Sequence, residues 1–99
     1  MEKKSYRTSN LIIQNILEGI LRKKQSNPYE KAGINKSDLI KYSKLKSSIA
    51  EKYLIKMENA NYVKSHEEMW GERTIIVYTI TDLGRERYEW FVKINAELE

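Results

Sequence analysis

The sequence predicts a mainly helical α+β fold whose elements follow in the order helix, short strand, helix, helix, β-hairpin, helix. Two observations carry this prediction. Over residues 11–21 and 49–57, apolar residues recur at the three-and-four spacing of amphipathic helices. Over residues 62–80 the period shortens to two in a stretch rich in β-branched residues, which is typical of strands. The 99 residues include no cysteine, which predicts one domain of modest core without a disulfide framework.

The sequence of the N-terminal third predicts an arm, a helix and a loop. Residues 1–8 are polar and basic and are interpreted as the arm. A helix is predicted over residues 9–24, because apolar residues recur at helical spacing and three basic residues lie at its C-terminal end. Its apolar stripe consists of Leu11, Ile12, Ile16, Leu17, Ile20 and Leu21. Residues 25–31 contain Asn-Pro and no periodicity, which predicts a surface loop, and residues 32–34 predict a short extended piece.

Two helices with a tight break between them are predicted next. Asn35, with Asp38 three residues later, has the spacing of a capping box and starts the first helix, which ends by about Ser43. A break at residues 43–45 precedes the second helix. Its predicted buried face consists of Ile49, Ala50, Tyr53, Leu54 and Met57. Its predicted exposed face consists of Ser47, Ser48, Glu51, Lys52 and Lys56.

The period-two segment predicts a β-hairpin, with a first strand that starts at residues 62–66, a turn at residues 70–72 and a second strand over residues 73–80. Thr81-Asp82 then caps a final helix over residues 83–98. This order of elements is that of a winged helix-turn-helix in which the hairpin is the wing. The fold class predicted is therefore α+β, mainly helical, of the winged helix-turn-helix type.

Motifs spread over nearly the whole chain resemble a known family. They are Arg7 before Leu11-Ile12, Ile16-Leu17-Glu18, Gly33-x-x-Lys36-Ser37, Leu45, Lys52-Tyr53-Leu54, Tyr62-Val63 and Tyr78-x-Ile80-Thr81-Asp82-x-Gly84. They are similar to the small archaeal or archaeal-virus winged-helix DNA-binding proteins whose C-terminal helix makes a coiled coil, related distantly to MarR-type and PadR-type regulators. The resemblance implies binding to duplex DNA as a homodimer.

The chain departs from that family at two places. The loop before Gly33 is longer than is typical, and Asn59-Ala60-Asn61 replaces the usual Glu-Lys-Gly. The predicted fold survives both departures, because Asn61, like Gly, tolerates the left-handed conformation that ends a helix.

Positive charge is concentrated in the first two thirds of the chain. The net charge is +4, yet residues 1–61 carry 13 Lys/Arg and 6 Asp/Glu, whereas residues 62–99 carry 5 and 8. The two segments therefore have net charges of +7 and −3. A polyanion would dock on the positive segment, which holds the arm and the helix-turn-helix.

The start of the second motif helix is the predicted DNA-binding surface. Small hydroxyl groups there permit close approach to a major groove, and lysines reach phosphates. The predicted DNA-binding residues are Lys44, Lys46, Ser47, Ser48, Ile49 and Lys52, with Lys64 and Arg73 on the wing and Lys3, Lys4 and Arg7 in the arm. Ile49 fits either the core or a contact with a thymine methyl group. No Arg, Asn or Gln suited to a bidentate base contact occupies this helix start, which favours modest specificity.

The wing differs from the usual basic type. Glu67, Glu68 and Glu72 surround Trp70 at its tip. Trp70 fits either a contact with the sugar-phosphate backbone or packing on its own hairpin or a partner chain, and the second arrangement is the commoner one.

The wide apolar surface of the final helix predicts a homodimer. Trp90, Phe91 and Val92 are consecutive and spread apolar surface over about 200° of the helix, more than one small domain covers. The predicted dimer interface consists of Leu83, Trp90, Phe91, Ile94 and Leu98. A two-fold dimer would place two recognition helices about 34 Å apart and predicts a palindromic site.

Enzymatic chemistry is not predicted. With one His, no Cys and no Gly-rich phosphate loop, the chain offers little for acid–base or nucleophilic work, and His66 has no second ligand type at metal spacing. No catalytic residue, metal, cofactor or small-molecule ligand is therefore expected. The chain shows no signal peptide or membrane span, which predicts a cytoplasmic, nucleoid-associated protein, in the host cytoplasm if it is viral.

The sequence thus predicts a winged-helix protein that binds double-stranded DNA as a dimeric transcriptional regulator. Its predicted divisions are an arm at residues 1–8, a DNA-binding domain at 9–81 and a dimerisation helix at 82–99. One alternative is an architectural, chromatin-like protein with little sequence preference. Another is a winged-helix adaptor that binds proteins and not DNA, for which the acidic wing is the best argument.

Overall fold

A computed structural model describes residues 7–23 and 33–98. Within these ranges the fold is α+β and mainly helical, with four helices and a three-stranded antiparallel sheet. The elements are α1 (Ser9–Leu21), β1 (Ile34–Asn35), α2 (Lys36–Ser43), α3 (Ser47–Asn59), β2 (Val63–Trp70), β3 (Arg73–Ile80) and α4 (Asp82–Leu98). The predicted α+β class and the predicted order of elements are confirmed.

Two element boundaries differ from the prediction. Helix α1 ends at Leu21 and not near residue 24, since the backbone leaves the helical conformation at Arg22, although the Arg22 N–H still makes the helical hydrogen bond to the carbonyl of Glu18. Strand β2 begins at Val63 and not at Tyr62, and it includes Trp70, which was predicted in the turn, because it pairs with β3 along its whole length. Gly71, at φ +67, supplies the positive φ that a two-residue hairpin turn requires.

The helix ends are built from the residues that the sequence indicated. The Asn35 side chain accepts a hydrogen bond from the backbone N–H of Asp38 at 2.9 Å and so caps α2. After α2, Lys44 adopts the left-handed conformation, with φ 55. After α3, Asn61 has φ 64, which confirms the prediction that it replaces a glycine there. Thr81 and Asp82 were predicted to cap α4 together. Thr81 does so, since its hydroxyl oxygen accepts the N–H of Gly84, whereas Asp82 is already the first helical residue.

The core lies where α1 packs against α2, α4 and the sheet. It contains Ile12, Ile16, Leu17, Ile20, Ile34, Leu39, Leu54, Met57, Val63, Tyr78 and Phe91. The predicted buried face of α3 is correct for Ala50, Leu54 and Met57, but Ile49 is 39% exposed and Tyr53 is only half-buried. Tyr53 stays near the surface because its hydroxyl group bonds that of Ser9 at 2.7 Å.

The sheet has the strand order β1-β3-β2, so β3 is central and β2 forms an edge. The two-residue strand β1 pairs Ile34 with Tyr78. Gly33 precedes it at φ +111, and a Cβ there would lie 2.7 Å from the carbonyl oxygen of Tyr78. Among the described residues, no helix is long and apolar enough to cross a membrane.

Candidate nucleic-acid interface

One exposed surface gathers most of the predicted DNA-binding residues. Lys44 and Lys46 lie in the turn before α3, and Ser47, Ser48, Ile49 and Lys52 lie in its first two turns. All six side chains are exposed. Ile55 and Lys56 continue the same surface along the helix. We call this surface the α3 face, defined by Lys44, Lys46, Ser47, Ser48, Ile49, Lys52, Ile55 and Lys56.

The first turn of α3 is open to an anion. Lys46 occupies the cap position in an extended conformation, but its side chain makes no capping hydrogen bond, and the first turn contains no acidic residue. The backbone N–H groups at a helix start lack partners within the helix and carry partial positive charge. A phosphate can therefore bind these N–H groups with Lys46 beside them.

The two acidic residues of α3 are bound to neighbouring elements. Glu51 forms an ion pair with Lys36 at the start of α2. Glu58 accepts a hydrogen bond from the Ser65 hydroxyl group of β2 at 3.0 Å. These contacts hold both carboxylates on the flank of α3 that faces α2 and the sheet. The α3 face itself thus keeps a positive character.

Arg7, a predicted DNA-binding residue of the arm, makes three hydrogen bonds within the protein. Its guanidinium donates to the carbonyl oxygens of Ser43 at 2.7 Å and Lys44 at 2.8 Å, and to the side-chain oxygen of Asn15 at 2.8 Å. These carbonyls lie at the end of α2, where the helix itself leaves them without partners. Arg7 therefore braces the turn between α2 and α3 from within the protein. The predicted contacts of Lys3 and Lys4 lie outside the described residues.

The wing residues Lys64 and Arg73 are exposed but separate from the α3 face. The register of the hairpin places both on the sheet face opposite to Ser65, the residue that contacts α3. Trp70 is 48% exposed, and its indole N–H donates to Glu68 of the same hairpin at 3.2 Å. Glu68 also bonds the His66 ring at 2.7 Å. The wing tip is therefore an acidic, partly apolar surface.

The predicted dimer residues divide between surface and core. Trp90 is 50% exposed, Leu98 is 71% exposed, and Leu83 and Ile94 are half-buried. Phe91 is only 4% exposed and belongs to the core, where its ring lies edge-on to that of Tyr62. The prediction that Phe91 forms part of an interface between chains is wrong. It turns inward because its position on α4 faces α1 and the rest of the core.

A polar cluster that was not predicted from the sequence links three helices. The carboxylate of Glu18 on α1 accepts hydrogen bonds from the hydroxyl groups of Tyr42 on α2 at 2.9 Å and Tyr88 on α4 at 3.0 Å. Burial raises the pKa of both tyrosines, and the hydrogen bond to Glu18 raises it further. The periodicity of α1 indicates only its apolar stripe and carries no signal for these long-range partners.

The described residues contain no group of three or more His, Cys, Asp or Glu that could hold a metal ion. His66 lies beside Glu68 in an exposed pair on the hairpin. Two ligands of this kind fall short of the three or four that protein zinc sites use.

Comparisons with known proteins bear on the fold and on the C-terminal part. Residues 62–99, which hold β2, β3 and α4, match the family model described as the P53 tetramerisation motif. No curated protein matches the sequence. The crystal structure of smu.1704 from Streptococcus mutans UA159 is similar, with a TM-score of 0.74 and 21% sequence identity over 92% of this chain and 81% of that chain. At this identity the similarity concerns the fold alone.

Proposed function

We propose that the chain is a winged helix-turn-helix protein that binds double-stranded DNA through the α3 face and acts as a dimeric transcriptional regulator. The observation that carries the proposal is the exposed start of α3, which combines lysines, small hydroxyl residues and an uncapped first turn. Helix α2, the left-handed turn at Lys44 and α3 supply the helix-turn-helix, and the β2–β3 hairpin is the wing.

Each part of the α3 face has a distinct task in this proposal. Lys44, Lys46 and the first-turn N–H groups bind phosphates and fix the register of the protein on the duplex. The short side chains of Ser47 and Ser48 permit close approach to the base edges. Lys52 reaches a phosphate one turn further along.

Self-association is proposed through α4. Its apolar stripe consists of the exposed Trp90 and Leu98 and the half-buried Leu83 and Ile94, which fall within an arc of about 80° at the helical period. The match of residues 62–99 to a tetramerisation motif supports self-association by this part of the chain. A two-fold pair of chains would present two α3 faces to successive major grooves.

Two other functions are alternatives to this one. An architectural DNA-binding protein would use the same α3 face without preference among sequences. A protein-interaction adaptor is favoured by the wing, where Glu67 and Glu72 are exposed beside Trp70. We place DNA binding first because the positive charge lies on the helix-turn-helix. A cytoplasmic location and a kinship with archaeal or viral regulators belong to the same proposal.

A titration against random-sequence duplex DNA at two salt concentrations tests the proposal. Lys46→Ala and Lys52→Ala should each flatten the slope of log affinity against log salt by about one unit, because each removes one phosphate contact. Lys93→Ala removes an exposed lysine of α4 and serves as the matched control, with no change in slope. Salt-insensitive or absent binding would favour the adaptor, and tight binding indifferent to sequence would favour the architectural role.

A further inference from the structure

The solvent side of α3 carries two isoleucines that the core does not use. Ile49 is 39% exposed and Ile55 is 61% exposed. They stand three residues before and three residues after Lys52, so the lysine lies between them on the helix surface. Isolated exposed apolar side chains are ordinary on proteins. Two of them on either side of a lysine, on the proposed DNA-binding face, suit a partner surface that has apolar groups among its charges.

The polar residues of the same face have little capacity to read base edges. Bidentate recognition of guanine or adenine uses Arg, Lys, Asn or Gln, and an acidic side chain can accept from cytosine. Between Ser47 and Glu58, α3 has no Arg, Asn or Gln. Its acidic Glu51 is held by Lys36, away from this role. Lys52 and Lys56 are the cations left for bases or phosphates.

The major groove offers one apolar feature that such a face can recognise. Each A·T pair presents the 5-methyl group of thymine there, and G·C pairs present none. A branched aliphatic side chain that covers this methyl group removes apolar surface of both partners from water. Ile55 is the more exposed of the two isoleucines and therefore has the more apolar surface to cover.

We infer that Ile55, together with Ile49, reads thymine methyl groups in the major groove, so that the preferred DNA is rich in A·T pairs. This inference rests on the proposed function, because it requires α3 to enter the groove. It adds that base selection on this face is apolar, whereas the lysines supply affinity that is independent of sequence.

Replacement of thymine by uracil tests the inference directly. Uracil lacks only the 5-methyl group and keeps the pairing and the O4 acceptor. The probes are an alternating A·T duplex of about two helical turns and the same duplex with uracil at every thymine. The wild-type protein should bind the uracil duplex roughly fourfold more weakly for each methyl group in contact. The salt slope should be the same on both duplexes.

Variants assign the effect to the side chain. Ile55→Ser should weaken binding to the thymine duplex and reduce the thymine-to-uracil ratio toward one, with an unchanged salt slope. Ile76→Ser is the matched control, because Ile76 is 37% exposed but lies on β3. It should keep the wild-type ratio. Both sites are exposed, and an unchanged circular dichroism spectrum verifies that each variant is folded.

The outcomes separate this inference from the proposed function. Salt-sensitive binding with equal affinity for thymine and uracil duplexes would overturn the inference and leave DNA binding intact. A wild-type ratio in both Ile55→Ser and Ile49→Ser would overturn it as well. If neither duplex is bound in a salt-sensitive way, the proposed function fails, and the inference fails with it.

Discussion

Arg7 joins three segments that are distant in the sequence. Its planar guanidinium reaches Asn15 on α1 and the carbonyls of Ser43 and Lys44 at the end of α2. Only an arginine presents donors in a fork that can serve several acceptors in one plane. Because these carbonyls belong to the turn that precedes α3, Arg7 helps to set the direction of that helix. It is a positioning residue for the α3 face.

Arg7→Ala should lower the free energy of unfolding by about 2 kcal/mol, since charged hydrogen bonds are lost and helix-end carbonyls lose their partner. Arg7→Lys should restore less than half of the loss, because one ammonium group cannot span the three acceptors. Urea denaturation measures both values. Lys41→Ala, which removes a nearby exposed cation, should change stability by no more than about 0.5 kcal/mol. An Arg7→Ala variant as stable as this control would contradict the bracing role.

At the scale of elements, the junction between the β2–β3 hairpin and α4 is tightly constrained. The Thr81 hydroxyl oxygen lies 2.5 Å from the carbonyl oxygen of Asn61 and accepts the N–H of Gly84 at 2.9 Å. A Cβ on Gly84 would lie 2.1 Å from the carbonyl oxygen of Tyr62. The start of α4 therefore packs directly on the backbone that follows α3. The residues Thr81 and Gly84 of the wing-to-helix motif have a structural role.

Gly84→Ala should destabilise the protein by about 3 kcal/mol, because the added methyl group meets a backbone atom that cannot move alone. Thermal and urea denaturation would both show the loss. Gly71→Asn is the control: nothing lies within 4 Å of the Cβ it adds, and its φ of +67 is one that asparagine tolerates. That variant should lose less than about 1 kcal/mol. Equal losses at the two glycines would refute the close approach at Gly84.

The features that were predicted correctly from the sequence are those determined by residues close to them in the chain. The Asn35 cap and the left-handed Asn61 depend on neighbours within a few residues, and the β-branched residues of β3 favour a strand locally. Trp70 was predicted in the turn, but its pairing with Arg73 makes it the last residue of β2. The brace formed by Arg7 depends on residues 36 and 37 positions away, for which a single sequence gives no signal.

The candidate site shows the same division. The exposure of Ser47, Ser48 and Lys52 follows from the helical period and was predicted. Ile49 was compatible with either the core or a DNA contact, and its exposure at 39% agrees with the second; no prediction covered Ile55, which is 61% exposed. Which of several apolar residues turns inward depends on how the helix packs on its neighbours. The inward position of Phe91 on α4 has the same explanation.

At the scale of the whole molecule, charge and apolar surface lie on different parts. The α3 face belongs to the segment with a net charge of +7, whereas the apolar stripe of α4 belongs to the segment with −3. This division allows one surface to meet DNA while another meets a second chain. Exposed apolar side chains at Trp90 and Leu98 would otherwise remain in water.

The chain should be a homodimer that Trp90→Glu dissociates, because a carboxylate would be buried in the stripe of α4 without a partner. Phe91 is unsuitable for this test, since its loss would damage the core. Val92→Glu is the matched control: Val92 is 38% exposed on the same helix but lies about 160° around it from Trp90.

Light scattering at micromolar concentration should give twice the chain mass of 11.8 kDa for the wild type and for Val92→Glu, and the single mass for Trp90→Glu. The monomeric variant should also bind a palindromic duplex more weakly, with its α3 face unchanged, because the second α3 face is no longer tethered. A wild-type mass of 11.8 kDa would refute the dimer and the expectation of symmetric sites. A mass of four chains would mean that the C-terminal part makes a second contact between chains in addition to the two-fold contact through α4.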